Sequence, residues 1–326
     1  DCLLSRGLGD VYKRQAVNAA SIGQVHKGSK GAVNYAIKIQ YPGVADSLQS
    51  DLRLITPVAT RLLGYKKEEI APYLNEVERK LLEETNYRLE LQNAEKIING
   101  CIGLDGLKFP EFNSDLSNDR VITMTWIEGE SLSDWIETKP NQEDRNRIGQ
   151  CLWDFYQHQI HQLKFIHADP HPGNFIITPE NKLGVIDFGC MKEIPEDFYK
   201  SYVSLLVSGE NDAKSANFIK SLEELEIIFE DDSAEEKTII IEVFNQLFQL
   251  VGKPFFSEKF DFNNDVYFKE IFELGESFSK DTNLRGLSAR GSRHFIYFNR
   301  TYFGLYQLLN KLGAQINTRG LKHLNN

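Results

Sequence analysis

Two hydrophobic periods alternate along the chain, one of two residues and one of about three and a half, and their order lays out its elements. Val33 to Gln40 (VNYAIKIQ) alternates in the manner of a strand, and Arg120 to Ile127 is a second β-rich run. Between them the spacing predicts two helices, Val44 to Leu63 and Glu68 to Asn99. The second has apolar or aromatic residues at 70, 74, 77 and 81 and again at 87, 91, 94 and 98, as one long helix crossing a small sheet would. After Gly129 the pattern predicts a helix from about Gln142 to Leu163, then a hairpin of Phe175–Thr178 and Leu183–Phe188 around turn residues 179–182. Helices follow to the end. The expected class is α+β, with a small β-rich lobe over residues 16–127, a nearly all-α lobe over 128–326, and a boundary near Trp126 to Gly129.

Composition narrows this picture. With 326 residues, 41% hydrophobic and 26% charged, the chain can bury two cores and carries no signature of disorder. A net charge of -10 argues against a nucleic-acid partner and requires any phosphate site to be locally basic. Cys2, Cys101, Cys151 and Cys190 form no CxxC pair, so neither a disulfide framework nor a zinc site is expected, and a reduced, cytoplasmic setting fits. The longest apolar stretches, Thr238–Val251 and Phe295–Leu312, are interrupted by Glu242, Asn245, Gln246, Asn299 and Arg300, and read as amphipathic core helices rather than membrane spans. No initiator Met or signal-peptide pattern opens the chain, which is expected to begin within a longer protein. Residues 1–15 (DCLLSRGLGDVYKRQ) resemble a translated sequencing-adaptor read-through, with no evolved structure expected there. With a strand of the small lobe missing, the chain would be only marginally stable.

The candidate chemistry is concentrated in His167-Ala-Asp-Pro-His-Pro-Gly-Asn174, followed thirteen residues later by Asp187-Phe-Gly189. Asp169 and Asn174 have the Asp-to-Asn interval of the kinase catalytic loop HRDxxxxN, and the predicted hairpin returns the chain to the same edge with Asp187. A triphosphate's charge is met in such sites by Mg²⁺, here on Asn174 and Asp187, with Asp169 orienting or deprotonating an acceptor. The plainer reading makes Asp169 and Asp187 turn caps and His167 a core histidine; for His171 a structural and a catalytic role stand level. Lys38, within Tyr35-Ala-Ile-Lys-Ile-Gln40, matches a nucleotide lysine, although a lysine on an alternating strand usually faces water. Its acidic helical partner is to be sought among Glu83, Glu84 and Glu90. The segment 18–26 stands where a glycine-rich loop is expected yet offers only Gly23, so phosphate approach would be more restrained. Pro195 follows Gly189 by six positions and no APE occurs, leaving little chain for a peptide-substrate platform.

Together AVNAASIGQVH (16–26), AIKIQYPGV (36–44), ETNYRLE (84–90), HADPHPGN (167–174) and DFG (187–189) resemble the UbiB/AarF family. The resemblance implies a bilobal protein-kinase-like fold that binds ATP or ADP with Mg²⁺, and ATPase or unorthodox kinase activity supporting ubiquinone or related isoprenoid-quinone biosynthesis. It further implies that Ala19, Ala20 and Ser21 line the nucleotide, that Lys38 contacts it with Glu90 as its ion-pair partner, that Asp169 is catalytic, and that Asn174 and Asp187 hold the metal. Partners would be lipid or quinone-biosynthesis proteins, with peripheral contact at the inner face of a membrane. The family's KxGQ signature is not found here, Asn18 replaces an alanine, and Asn86 replaces the Asp of the ExD motif, which removes one carboxylate. Two other readings remain: a nucleotide-switched scaffold that transfers no phosphate, and a small-molecule kinase of the aminoglycoside or choline type.

Overall fold

The computed structural model describes residues 18–20, 22–44, 85–208, 215–280 and 290–318. The predicted helix 44–63 apart from Val44, the whole of the 68–84 stretch with Glu83 and Glu84, residues 1–15 and Ser21 lie outside the described residues. The chain divides into two compact units, one of residues 1–99, 109–128 and 185–190, the other of 100–108, 129–184 and 191–326.

The first unit is built on an antiparallel sheet of β1 (Asn18–Ala20), β2 (Gly23–Lys30), β3 (Val33–Gln40) and, after β4 (Leu107–Lys108) has passed to the other unit, β5 (Val121–Thr125). Register runs Ala20↔Gly23, Gly23↔Gln40 and Tyr35↔Thr125. Alternation along β3 is inverted relative to hydrophobicity: Ala36, Lys38 and Gln40 face inward, while Ile39 is 40% exposed. A long aliphatic stem tipped with charge turns inward only where partners wait for it.

One such partner of Lys38, Glu90, stands on α1 (Tyr87–Gly100). The long predicted helix does not run through this point: Thr85 is in a turn and Asn86 caps a new start, its Oδ1 accepting from Leu89 N at 3.1 Å. A helix N-terminus leaves N–H groups unpaired, and Asn satisfies one as well as Asp would. The buried face also differs from the predicted stripe of 87, 91, 94 and 98. It comprises Tyr87, Glu90, Asn93, Ala94 and Ile97, so two polar side chains are turned inward.

The second unit is helical but not nearly all α. Among the described residues eight short strands cross it: β4, β6 (Glu130–Ser131), β7 (Phe165–His167), β8 (Phe175–Ile177), β9 (Leu183–Val185), β10 (Met191–Glu193), β11 (Lys259–Asp261) and β12 (Gln315–Asn317). They form a β4-β9-β8-β6 sheet and the two ladders β7-β10 and β11-β12. Strands of two or three residues complete barely one alternation, so most left no readable pattern. The predicted hairpin stops early, because residues 186–188 leave the sheet. The helices are α2 (Leu132–Glu137), α3 (Gln142–His158), α4 (Glu196–Leu206), α5 (Ala216–Glu224), α6 (Ala234–Gly252), α7 (Asp265–Lys280) and α8 (Arg293–Leu312). Their core is aromatic: Tyr202 lies 4.8 Å from Phe298 and 5.4 Å from Phe248 between ring centres, and Trp153 lies 5.2 Å from Phe255. Cys101, Cys151 and Cys190 form no disulfide, and no described helix is long and apolar enough to cross a membrane.

Candidate functional site

Lys38 anchors a charge cluster within the first unit. Its Nζ donates to both carboxylate oxygens of Glu90, at 2.8 and 2.9 Å, and to Oδ2 of Asp187 at 3.1 Å. Lys38 and Glu90 are almost fully buried, whereas the Asp187 side chain is 37% exposed. Burial disfavours the Lys38 ammonium, but the Asp187 and Glu90 carboxylates outweigh it and hold its pKa above the ordinary lysine range. Burial pushes the Glu90 carboxyl up to about 7, against the pull of Lys38. Lys38 therefore stays an ammonium, while Glu90 releases its proton only towards pH 7. With both carboxylates ionised the three-residue cluster is net negative.

The Asp-Phe-Gly turn itself holds Asp187 in place. Oδ1 of Asp187 accepts from Gly189 N at 2.9 Å. Phe188 is completely buried, its ring 6.3 Å from Phe109 and 6.0 Å from Phe112, and its carbonyl accepts from Asn93 Nδ2 at 3.3 Å. One face of α1 thus carries both the partner of Lys38 and a grip on the Asp-Phe-Gly turn. Neither Asn93 nor the two phenylalanines was singled out in the sequence; Asn93, six residues before Asn99 on a helix with many polar positions, gives no local signal.

The alanine-rich segment is a hairpin, not an open loop. Ala19 pairs with Gln24 and Ala20 with Gly23, and Ser21 lies outside the described residues. A Cβ on Gly23 would lie 2.3 Å from the Ile39 carbonyl oxygen, so glycine is required there by the close approach of β3. Tyr87 lies below it, completely buried, with its hydroxyl unpaired among the described residues and its ring centre 5.3 Å from Lys38 Nζ.

The second unit carries the HADPHPGN segment. A π-helical turn, Gln159–Leu163, extends α3, and its buried Gln159 accepts from His167 N at 2.7 Å. His167 is buried, and its Nδ1 accepts from Asp169 N at 3.4 Å. His171 is exposed and its Nδ1 accepts from Gly173 N at 3.1 Å, which makes it a turn cap. Asn174 Nδ2 donates to the Asp169 carbonyl at 2.9 Å and to Asp169 Oδ2 at 3.3 Å. Arg300 of α8, met in the sequence only as an interruption of an apolar stretch, donates to Asp169 Oδ1 at 2.8 Å.

Among the described residues no cluster of three or more His, Cys, Asp or Glu side chains forms a metal cage. The donors still suit Mg²⁺, which takes hard oxygen ligands and commonly uses one or two protein groups with phosphate and water completing its shell. In the first unit Asp187 carries a carboxylate that is 37% exposed, and in the second Asn174 carries an amide oxygen while its NH₂ donates to Asp169.

A strand lysine paired to a helical glutamate and to the aspartate of a DFG turn, and an HxDxxxxN loop in a helical unit, define a protein-kinase-like fold without the glycine-rich loop or the APE of conventional protein kinases. The chain belongs to the family described as the ABC1 atypical kinase-like domain, whose profile matches residues 10–218. It is 32% identical over 262 residues to the zebrafish (Danio rerio) protein "Atypical kinase COQ8B, mitochondrial", covering 78% of this chain and 40% of that protein. It is 30% identical over 189 residues to "Protein ACTIVITY OF BC1 COMPLEX KINASE 3, chloroplastic" of Arabidopsis thaliana, covering 56% of this chain and 26% of the relative. The chain therefore spans less than half the length of these relatives. A solved structure, the Rv3197–erythromycin complex from Mycobacterium tuberculosis, superposes with a TM-score of 0.66 over 95% of this chain and 75% of that one, at 23% identity, and shows the shared fold.

Proposed function

We propose that the chain is the nucleotide-handling domain of an atypical kinase or ATPase that binds Mg-ATP and Mg-ADP. The observation that carries this reading is the buried Lys38 held by Glu90 and Asp187. Burying charge costs several kcal/mol per ion before attraction repays it, so stability alone is a poor reason to keep such a cluster. In this reading Lys38 contacts the α and β phosphates, with Ala19, Ala20 and Ser21 lining the nucleotide. Asp187 and Asn174 would hold Mg²⁺, which supplies neutralisation of the triphosphate charge. Asp169 accepts the proton of a hydroxyl or water whose oxygen bonds to the γ-phosphorus, as the bond to the β–γ bridging oxygen breaks and ADP leaves.

Membership of the family and the likeness to the COQ8B relative support placing this activity in ubiquinone or related isoprenoid-quinone biosynthesis; lipid or quinone-biosynthesis proteins as partners and peripheral membrane contact are part of the proposal itself. Quinone content would show it: in cells lacking their own family member, the chain should restore quinone and its Asp187→Asn form should not. Nucleotide binding itself is tested by thermal stabilisation with ATP and ADP, with and without Mg²⁺. Stabilisation that needs Mg²⁺ and disappears in Lys38→Ala and Asp187→Asn is expected. A folded protein indifferent to every nucleotide would sink the reading, and binding without turnover would leave the scaffold.

A further inference from the structure

Asp169 is gripped from two directions. From its own loop, Asn174 Nδ2 reaches Oδ2 and the carbonyl oxygen, and His171 N donates to that carbonyl at 2.7 Å. From α8, Arg300 Nη2 takes Oδ1 at 2.8 Å. Four residues further on, on the same side of that helix, a Cβ on Gly304 would lie 2.2 Å from Cγ of Pro170, the residue after Asp169. A glycine inside a helix costs about 1 kcal/mol relative to alanine, and here it lets α8 lie directly against the loop. Tyr302, Leu305, Tyr306 and Leu309, all buried, fix the helix in the aromatic core. Stability does not account for the ion pair, because the Arg300 side chain is 59% exposed and exposed pairs contribute about 0–1 kcal/mol.

We propose that Arg300 is a positioning residue: from the last described helix it fixes the orientation of the Asp169 carboxylate, leaving the Oδ2 side to face the acceptor. This rests on the phosphotransfer reading, in which Asp169 meets the acceptor proton; Arg300 acts through Asp169 and contacts neither nucleotide nor acceptor.

The test compares the wild type with Arg300→Gln, Arg300→Lys, Asp169→Asn and the Arg300→Gln/Asp169→Asn double variant. Mg-ATP hydrolysis gives kcat and KM, and amide hydrogen exchange follows residues 167–174. Arg300→Gln should melt within a few degrees of the wild type and hold KM within about two-fold, while kcat falls on the order of ten-fold, as expected when a catalytic group loses its alignment. Lys should restore part of kcat, residues 167–174 should exchange faster in Arg300→Gln, and the substitution should cost nothing further in Asp169→Asn. An unchanged kcat overturns the proposal, as does a loss of the same size on top of Asp169→Asn. If the wild type hydrolyses no ATP, the phosphotransfer reading fails, and exchange alone decides: faster exchange in Arg300→Gln upholds the hold on the loop, and unchanged exchange removes it.

Discussion

Glu90 sits where a carboxylate gains least from water, and this sets a pH dependence whose sign is unusual for an acid. Burial raises its folded-state pKa from 4.5 to about 7. Between those values the folded chain keeps a proton that the unfolded chain has released, so raising the pH through this window favours unfolding. The contribution is whole below pH 4.5 and lost above about 7, and amounts to about 3 kcal/mol at 1.36 kcal/mol per unit. Unfolding free energies of wild type and Glu90→Gln, compared from pH 4.5 to 8, should show the wild type losing ground by that order; parallel curves would refute it. Hydroxyls provide a second contrast. Tyr306 is buried and donates to the Val251 carbonyl at 2.6 Å, while the buried Tyr87 hydroxyl has no partner among the described residues. Tyr306→Phe should cost about 1–2 kcal/mol and Tyr87→Phe nothing, or gain slightly, in denaturant midpoints. At this scale the sequence pointed, through motifs that fix identity and spacing, to residues that the structure brings into contact, Lys38 with Asp187 and Asn174 with Asp169. Arg300 was not legible, since its partner lies 131 residues away and only the packing of α8 brings them together.

Elements show the same division for a different reason. The helix over 87–98 was readable from its apolar spacing, but its orientation was not, because the buried face includes Glu90 and Asn93 in place of Leu91 and Ile98. β3 is inverted for the same cause: a polar residue with a charged partner across the unit outweighs the hydrophobic period. The start of α1 was also hidden, since apolar spacing continues through Asn86 while its side chain caps the helix. Replacing Asn86 by Asp keeps an oxygen for Leu89 N and sets a negative charge at a helix N-terminus, so stability should hold or rise by a few tenths of a kcal/mol. Asn86→Ala should lose about 1 kcal/mol. Equal stability of Asn86→Ala and wild type in urea unfolding would show that the cap contributes nothing. Asn86→Asp also restores the carboxylate of the ExD pattern, so a tighter Mg-nucleotide response in that variant would show the carboxylate at work and a response equal to wild type would confine position 86 to capping.

Across the whole chain, the two units hold very different cores. The first unit contains a cluster of Ile22, Tyr87 and Ile122, with Val44, Leu91 and Phe112 packed against it. The second buries a network of tyrosine, phenylalanine and tryptophan rings that runs through α3, α4, α6 and α8. Among the described residues the first unit buries the smaller core, and buried apolar area sets most of the stabilisation, so the first unit should unfold at the lower temperature and calorimetry should resolve two transitions. Lys38, Glu90 and Asp187 all belong to that first unit, so Mg-ATP should raise the lower transition preferentially. Ligand at a hundred times its Kd adds about 2.7 kcal/mol, enough to move that transition by several degrees. Asp187→Asn should leave both transitions insensitive to nucleotide, because the remaining lysine–glutamate pair has no carboxylate to offer a cation. A single transition, or a nucleotide effect confined to the upper one, would mean that the units do not unfold separately or that the nucleotide is held elsewhere, and the assignment of the first unit as its principal holder would fall with it.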